Sequence, residues 1–188
     1  EPTMAHRPTI ALFGGTFDPP HLGHLLAAAY VLACTPVDAL WFVPAGKNVM
    51  GKKPAPFRDR LTMCRRLADT FRNGAICDTD GEPDSTGRTL DLLRVLSNKY
   101  PGTNWRFVVG SDILQEAHLW EDFAEVRRQA PLIVLPRQGF SDPEALSATL
   151  PDISSSAIRA RLKAGESVQG LVPNGVLEYL RHRQGLYK

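Results

Sequence analysis

Apolar positions along this chain alternate between two periods. The run at 9–13, Thr-Ile-Ala-Leu-Phe, is unbroken, as a strand buried on both faces requires. A helical pattern follows at Leu22, Leu25, Leu26, Ala29 and Leu32, starting near His21. Short apolar runs recur at 40–43, 75–77, 105–109 and 132–135. Between them, helical spacing covers 58–71, with Leu61, Cys64, Leu67, Ala68 and Phe71 on one side. It also covers 89–100, where Pro101-Gly102 stops it. Strands taking turns with helices predict a Rossmann-like α/β fold, a parallel sheet with helices on both faces and right-handed crossovers.

Ligands of such sheets bind beyond the carboxyl ends of the strands. Two turns of small residues are predicted to lie there: Gly14-Gly15-Thr16 after the first strand, and Gly110-Ser111-Asp112 after the strand at 105–109. Two long loops, 44–56 with Lys47, Lys52 and Lys53, and 137–152, have the length of lids or binding loops. From Ser154 onward the chain reads as a helical C-terminal portion, 154–188, in two pieces broken between Gly165 and Pro173. Residues 1–188 read as one domain.

Composition changes this picture little. Of 188 residues, 43% are hydrophobic and 22% charged, which suits one ordinary core. A net charge of +2 without a basic run gives no reason to expect nucleic acid. The chain shows neither a membrane-length apolar run nor a signal peptide, so a cytoplasmic location is expected. Cys34, Cys64 and Cys77 fall on apolar faces, and reduced core thiols are the simple reading.

The chemistry concentrates in residues 13–24, Phe-Gly-Gly-Thr-Phe-Asp-Pro-Pro-His-Leu-Gly-His. A strand here runs through a glycine turn into a helix. Gly14 and Gly15 let the backbone come close to a ligand. The helix start offers unpaired N–H groups and a positive dipole end, an anion site. His21 and His24, three apart, share one helix face. Two imidazoles, Thr16 and free amides around one point suit a polyphosphate. A His-x-x-His zinc pair is the competing reading, but no third ligand stands at telling spacing. A second segment, Ile153-Ser-Ser-Ser-Ala-Ile-Arg159, reads either as a capped surface helix with a solvated arginine or as a second phosphate grip. In the second case the hydroxyls of Ser154, Ser155 and Ser156 converge, and Arg159 reaches back with its forked guanidinium.

Residues 13–24 resemble the signature of the (H/T)xGH nucleotidylyltransferases. In its full form, Gly-Gly-Thr-Phe-Asp-Pro-x-His-x-Gly-His, the segment is similar to that of the nicotinate mononucleotide adenylyltransferases. Residues 153–159 resemble that family's Ile-Ser-(Ser/Ala)-(Thr/Ser)-x-Ile-Arg segment. Thr86-Gly-Arg-Thr-Leu90, Gly110-Ser-Asp112, Leu119-Trp120, Leu171-Val-Pro173 and Gln184-Gly-Leu-Tyr187 extend the likeness over nearly the whole chain.

The resemblance implies a nucleotidylyltransferase-type fold and transfer of AMP from ATP to nicotinate mononucleotide, giving nicotinate adenine dinucleotide and pyrophosphate in NAD biosynthesis. Mg²⁺ would come with ATP, and no protein-held metal is expected. His21, His24 and Arg159 would be catalytic, with Ser155 beside them and Thr16 on phosphate oxygens. ATP would meet Gly14, Gly15, Thr16, Phe17, Gly110, Asp112, Ser154, Ser155 and Ser156 as well. Nicotinate mononucleotide would meet Gly15, Thr16, Thr86, Thr89, Asp112, Leu119 and Trp120. Lys47, Lys52 and Lys53 would serve a lid. The chain departs from the family pattern twice. Ser85 stands where a tyrosine is usual, and a lysine-rich stretch replaces Pro-His-Lys in the first long loop. Another acceptor (nicotinamide mononucleotide or phosphopantetheine) and a non-catalytic nucleotide sensor are the alternatives. A homo-oligomer stays open.

Overall fold

The computed structural model describes residues 5–47 and 53–188. Five strands, β1 (Thr9–Gly15), β2 (Ala39–Pro44), β3 (Gly74–Ile76), β4 (Asn104–Gly110) and β5 (Leu132–Leu135), form one sheet in the order β3-β2-β1-β4-β5. Every pairing is parallel. The chain moves outward from β1 to β3, then returns to the other side of β1 with β4. The strand order therefore reverses between β1 and β4, where sheets of this kind open a crevice at their carboxyl end.

Two helices, α1 (Leu22–Cys34) and α2 (Phe57–Ala68), cover one face. Ala28 and Val31 of α1 and Cys64 and Leu67 of α2 are wholly buried, in a cluster with Ala11, Phe13 and Phe42 of the sheet. On the other face lie α3 (Thr89–Lys99) and α5 (Phe123–Gln129), whose Leu93, Leu96 and Val126 pack with Leu12, Trp105 and Phe107. Each such side chain removed from water contributes about 1.5–3 kcal/mol before chain entropy is counted. A single short helix, α4 (Ser111–Gln115), leaves the end of β4 directly.

Two C-terminal helices, α6 (Ser155–Lys163) and α7 (Asn174–His182), build a third cluster in which Ile158, Val168 and Val176 pack on Met63 of α2. A buried carboxylate fastens them. Asp59 of α2 accepts from Arg183 at 2.8 Å and from the Tyr179 hydroxyl at 2.6 Å. The Arg183 hydrogen bonds hold the Asp59 carboxyl below the usual carboxylate range, against the opposing effect of burial.

Expected and observed elements differ in three places. The helix expected at 58–71 ends at Ala68, and the chain turns through 69–73 into β3. α5 has no counterpart among the expected helices: seven residues with one fully buried side chain, Val126, carry too little periodicity to read. Cys34 is exposed rather than core, because it ends α1 and Val31 is the last residue of that helix buried against the sheet. Cys64 and Cys77 are buried as expected, and burial raises both thiols above their ordinary range.

Candidate active site

The carboxyl ends of β1 and β4 open into three adjoining cavities of about 480, 230 and 280 Å³. The first two share His21, His24 and Arg137. The last two share Phe13 and Gly110. One groove therefore runs across the switch point of the sheet.

His21 is the N-cap of α1, and its Nδ1 accepts from the Gly23 amide at 3.0 Å. His24 reciprocates: its Nδ1 accepts from the His21 amide at 3.1 Å. This is a capping box built from two imidazoles. Because each Nδ1 accepts, each neutral ring carries its proton on Nε2. The rings stack at 3.7 Å between centroids, and the His24 ring also meets Phe17 at 4.8 Å. Gly23 is required in this box, since a Cβ there would stand 2.8 Å from the His21 ring.

Burial, and secondarily the nearby Arg137, lowers the His21 pKa to about 4. His24 is held well below its ordinary value by burial first, then by His21 and Arg137. Both rings are thus neutral N–H donors at pH 7, and the cations lining the 480 Å³ cavity are Arg137, Arg159 and Lys53.

The α1 start has most of its amides already engaged. His21 and Gly23 amides go to imidazoles, and the Leu22 amide goes to the Leu171 carbonyl at 2.9 Å. Further open amides belong to α6. Ser154 caps that helix by accepting from the Ala157 amide. Among the described residues, the Ser155 and Ser156 amides have no partner within the protein, and both residues line the 480 Å³ cavity opposite the histidines. A helix N-terminus facing paired N–H donors is an anion site.

Arg159, Ser155 and the first motif are bound together. The guanidinium donates to the Asp18 carbonyl at 2.8 Å and to Ser156 Oγ at 3.2 Å, and Ser155 Oγ donates to the Pro19 carbonyl at 2.9 Å. So the C-terminal helix is docked onto the glycine turn 136 residues or more earlier in the chain. Thr16 lines the same cavity, while its carbonyl accepts from the buried Arg60, which also bridges the Ala45 and Ala55 carbonyls. Phe17 is 2% exposed and sits at φ 51, a left-handed backbone that a bulky residue adopts only under constraint. Its ring packs edge-on against Phe13, Phe42 and His24, supporting the histidine, and Phe17 also lines the 480 Å³ cavity.

The 280 Å³ cavity is the more apolar one. Gly14, Gly15, Gly87, Thr89, Phe107 and Trp120 line it, together with Lys47 and Asp80. Trp120 is half-buried and packs edge-on to Phe107 and Phe123. Of the residues expected around an acceptor, Gly15, Thr89 and Trp120 come together here. Asp112 lies in the neighbouring 230 Å³ cavity, its carboxylate 3.8 Å from Arg137. A Cβ at Gly110 would stand 2.3 Å from Asp112 Oδ1, so a side chain there would displace that carboxylate. Thr86 lies off the lining, and its hydroxyl donates to Asp91 at 2.6 Å. Leu119 is 71% exposed, turned away from the cavity that Trp120 enters.

The lid residues separate. Lys47 is not awaiting an anion. Its ammonium donates to the Pro83 and Ser85 carbonyls at 2.8 and 2.7 Å. Lys53 faces the phosphate-like cavity. Lys52 lies outside the described residues.

Sequence reasoning missed Arg137 and Ser111. Arg137 joins two of the cavities. Its amide donates to the buried Ser111 hydroxyl at 2.9 Å, which itself donates to the Phe140 carbonyl at 2.7 Å. The usable signal was position: Arg137 follows β5 by two residues, at the end of the sheet where ligands bind.

A parallel 3-2-1-4-5 sheet with paired imidazoles and a second helix start converging on its switch point defines a nucleotidylyltransferase-type protein. Comparisons agree. The cytidylyltransferase-like family model matches residues 12–161. The chain is 43% identical over 182 residues to an Anaeromyxobacter dehalogenans protein curated as "Probable nicotinate-nucleotide adenylyltransferase", covering 95% of this chain and 96% of the relative. A Myxococcus xanthus protein of the same description is 39% identical over 179 residues, covering 95% and 94%. A Plasmodium falciparum nicotinic acid mononucleotide adenylyltransferase, solved with NaAD, shares the fold with a TM-score of 0.80 at 18% identity, over 95% of this chain and 97% of that one. The chain belongs to the cytidylyltransferase-like family and, within it, to the nicotinate-nucleotide adenylyltransferases.

Proposed function

We propose that this chain transfers AMP from ATP to nicotinate mononucleotide, releasing pyrophosphate and nicotinate adenine dinucleotide, as a cytoplasmic enzyme of NAD biosynthesis. One observation carries the reading. An anion-binding cavity between His21, His24 and the α6 start leads, through the middle cavity that shares His21, His24 and Arg137 with it and Phe13 and Gly110 with the next, to an apolar cavity walled by Trp120. A triphosphate and an aromatic mononucleotide need such neighbours.

The acceptor's 5′-phosphate attacks the α-phosphorus in line. A phosphate monoester is already ionised at pH 7, so no general base is needed, and catalysis reduces to positioning and charge stabilisation. His21 and His24 donate from Nε2 to the oxygens of the transferring phosphate. The Ser155 and Ser156 amides, Arg159, Arg137 and Lys53 hold the leaving phosphates. Preorganised donors of this kind contribute most where charge develops. The described residues form no cluster of three or more His, Cys, Asp or Glu side chains able to hold a metal ion. That donor set fits Mg²⁺ carried by phosphate oxygens and water, where it would neutralise the polyphosphate.

The test is pyrophosphate release with ATP and each of three acceptors: nicotinate mononucleotide, nicotinamide mononucleotide and phosphopantetheine. Fastest turnover with the acid mononucleotide is expected. A preference for either other acceptor overturns the assignment, and no turnover with any of them favours a nucleotide sensor.

A further inference from the structure

Asp18 stands at the junction of four segments that are distant in sequence. Its Oδ1 accepts the Ala55 amide at 3.1 Å and the Tyr187 hydroxyl at 2.7 Å. Its carbonyl accepts Arg159, whose guanidinium also lies 3.8 Å from Oδ2. The carboxylate is 6% exposed, so water cannot replace a lost donor freely. Arg60, a buried cation nearby, already gives its hydrogen bonds to the Thr16, Ala45 and Ala55 carbonyls. Arg159, held by the Asp18 carbonyl and Ser156 Oγ and already 3.8 Å from Asp18 Oδ2, is the cation that both borders this carboxylate and lines the anion cavity.

We propose that Tyr187, second from the end of the chain, is a positioning residue for the triphosphate. By donating to Asp18 Oδ1 it limits the pull of that carboxylate on the Arg159 guanidinium 3.8 Å from Oδ2, and so leaves Arg159 available to the anion cavity it lines. The inference rests on the reading of that cavity as the ATP phosphate site. Without the hydroxyl, Asp18 keeps only the Ala55 amide on Oδ1. A buried carboxylate short of a donor draws in the nearest guanidinium, and a charge-assisted pair between Arg159 and Asp18 would compete with phosphate for the same fork. Burial and the hydrogen bond to Asp18 both raise the Tyr187 pKa, so the hydroxyl stays protonated as a donor throughout the working range. The same carboxylate also fixes Ala55 at the distal root of the first long loop, so Tyr187 and that loop root share one anchor.

The experiment measures affinity for MgATP by calorimetry, alongside turnover, in wild type, Tyr187→Phe, Asp18→Asn and the double variant. Tyr187→Phe is expected to weaken ATP binding about tenfold while the KM for the acceptor stays within twofold. Asp18→Asn keeps acceptors for Ala55 and Tyr187 but removes the charge that recruits Arg159. In that background the loss of the hydroxyl should cost less than twofold. Wild-type ATP affinity in Tyr187→Phe overturns the proposal. So does an equal loss for both substrates, or a tenfold loss that persists in the Asp18→Asn background. If Tyr187→Phe does not fold, Asp18→Asn alone decides: ATP binding equal to or tighter than wild type supports the competition, and weaker binding overturns it. Absence of wild-type transfer to nicotinate mononucleotide would sink the acceptor assignment but leave the ATP affinities, and hence this proposal, decidable.

Discussion

His21 and His24 cap one another across the first turn of α1, each Nδ1 taking a backbone N–H while the rings stack 3.7 Å apart. Structure and chemistry can thus meet in one pair: Nδ1 holds the helix start, and Nε2 is left to donate. His24→Ala should lower turnover roughly 100-fold, the scale of losing one preorganised donor. It should also cost about 1 kcal/mol of stability through the lost cap. Steady-state kinetics beside thermal melts separate the two effects. A folded variant with near-normal turnover would confine His24 to capping.

The same pair makes the protein sensitive to acid. Both folded imidazoles have lowered pKa values, His21 at about 4 and His24 well below 6.5. The unfolded chain takes up these protons as pH falls through about 6.5, and the folded chain does not. Stability is therefore complete above about pH 6.5 and declines from there toward pH 4. His21 alone accounts for on the order of 3 kcal/mol across that window. Denaturant melts at pH 7 and pH 5 should show the decline. Bound polyphosphate favours the imidazolium, so ATP binding near pH 6 should take up protons, read by calorimetry in buffers of different ionisation enthalpy. Equal stability at the two pH values would mean that the histidines titrate freely.

The strands, the glycine turn and the capped helix starts at His21 and Ser154 were legible in the sequence because each depends on local spacing. Thr9–Gly15 is buried on both faces and reads as an apolar run; Ser154 caps α6 as three serines before an apolar stripe suggest. What was not legible depends on contacts distant in sequence. Nothing near Lys47 says that its charge meets the Pro83 and Ser85 carbonyls. Nothing near His21 says that the Leu22 amide belongs to Leu171. Arg137 joins the site only because β5 ends beside β4 and Ser111 fixes its backbone.

Arg88 offers a prediction confined to the acceptor side. It sits between Gly87 and Thr89, which line the apolar cavity, and pairs with Glu121 at 3.1 Å and Asp122 at 2.9 Å. Those carboxylates follow Trp120 directly, and Asp122 is held at φ 61. The pair latches the Trp120 segment over the cavity. Being partly exposed, it contributes about 1 kcal/mol or less to stability. Arg88→Ala should raise the KM for nicotinate mononucleotide about three- to tenfold and leave the KM for ATP unchanged. A shift in both constants would point to a general loosening instead.

Acceptor choice turns on one group, a carboxylate in the acid and a neutral amide in its counterpart. A site for the acid presents N–H donors and no free acceptor. The start of α3 meets the first condition: Arg88 caps it without a side-chain hydrogen bond, and Gly87 and Thr89 line the cavity beside it. The dipole at that end favours an anion. Asp80 also lines the cavity and would repel the acid if it faced the ring unpaired. Both its oxygens are engaged, Oδ2 by the Gly46 amide at 2.7 Å and Oδ1 by the Ser85 hydroxyl at 3.1 Å. Ser85, where the family usually has a tyrosine, is thus the donor that occupies this carboxylate. Hydrogen bonds to a charged group are worth about 1.5–3 kcal/mol each. Two of them, less what the amide retains, give on the order of 100-fold preference for the acid. Ser85→Ala frees Asp80 Oδ1 and should reduce that preference severalfold. An indole stacked on the ring would meet either pyridine alike and not choose between them. Trp120→Ala should therefore raise the KM for both mononucleotides and leave most of the selectivity. The ratio of kcat/KM for the two acceptors, measured in wild type and both variants, checks each step. Equal wild-type values would sink the acid-specific site, and selectivity lost with Trp120 would move the choice from the α3 start to the indole.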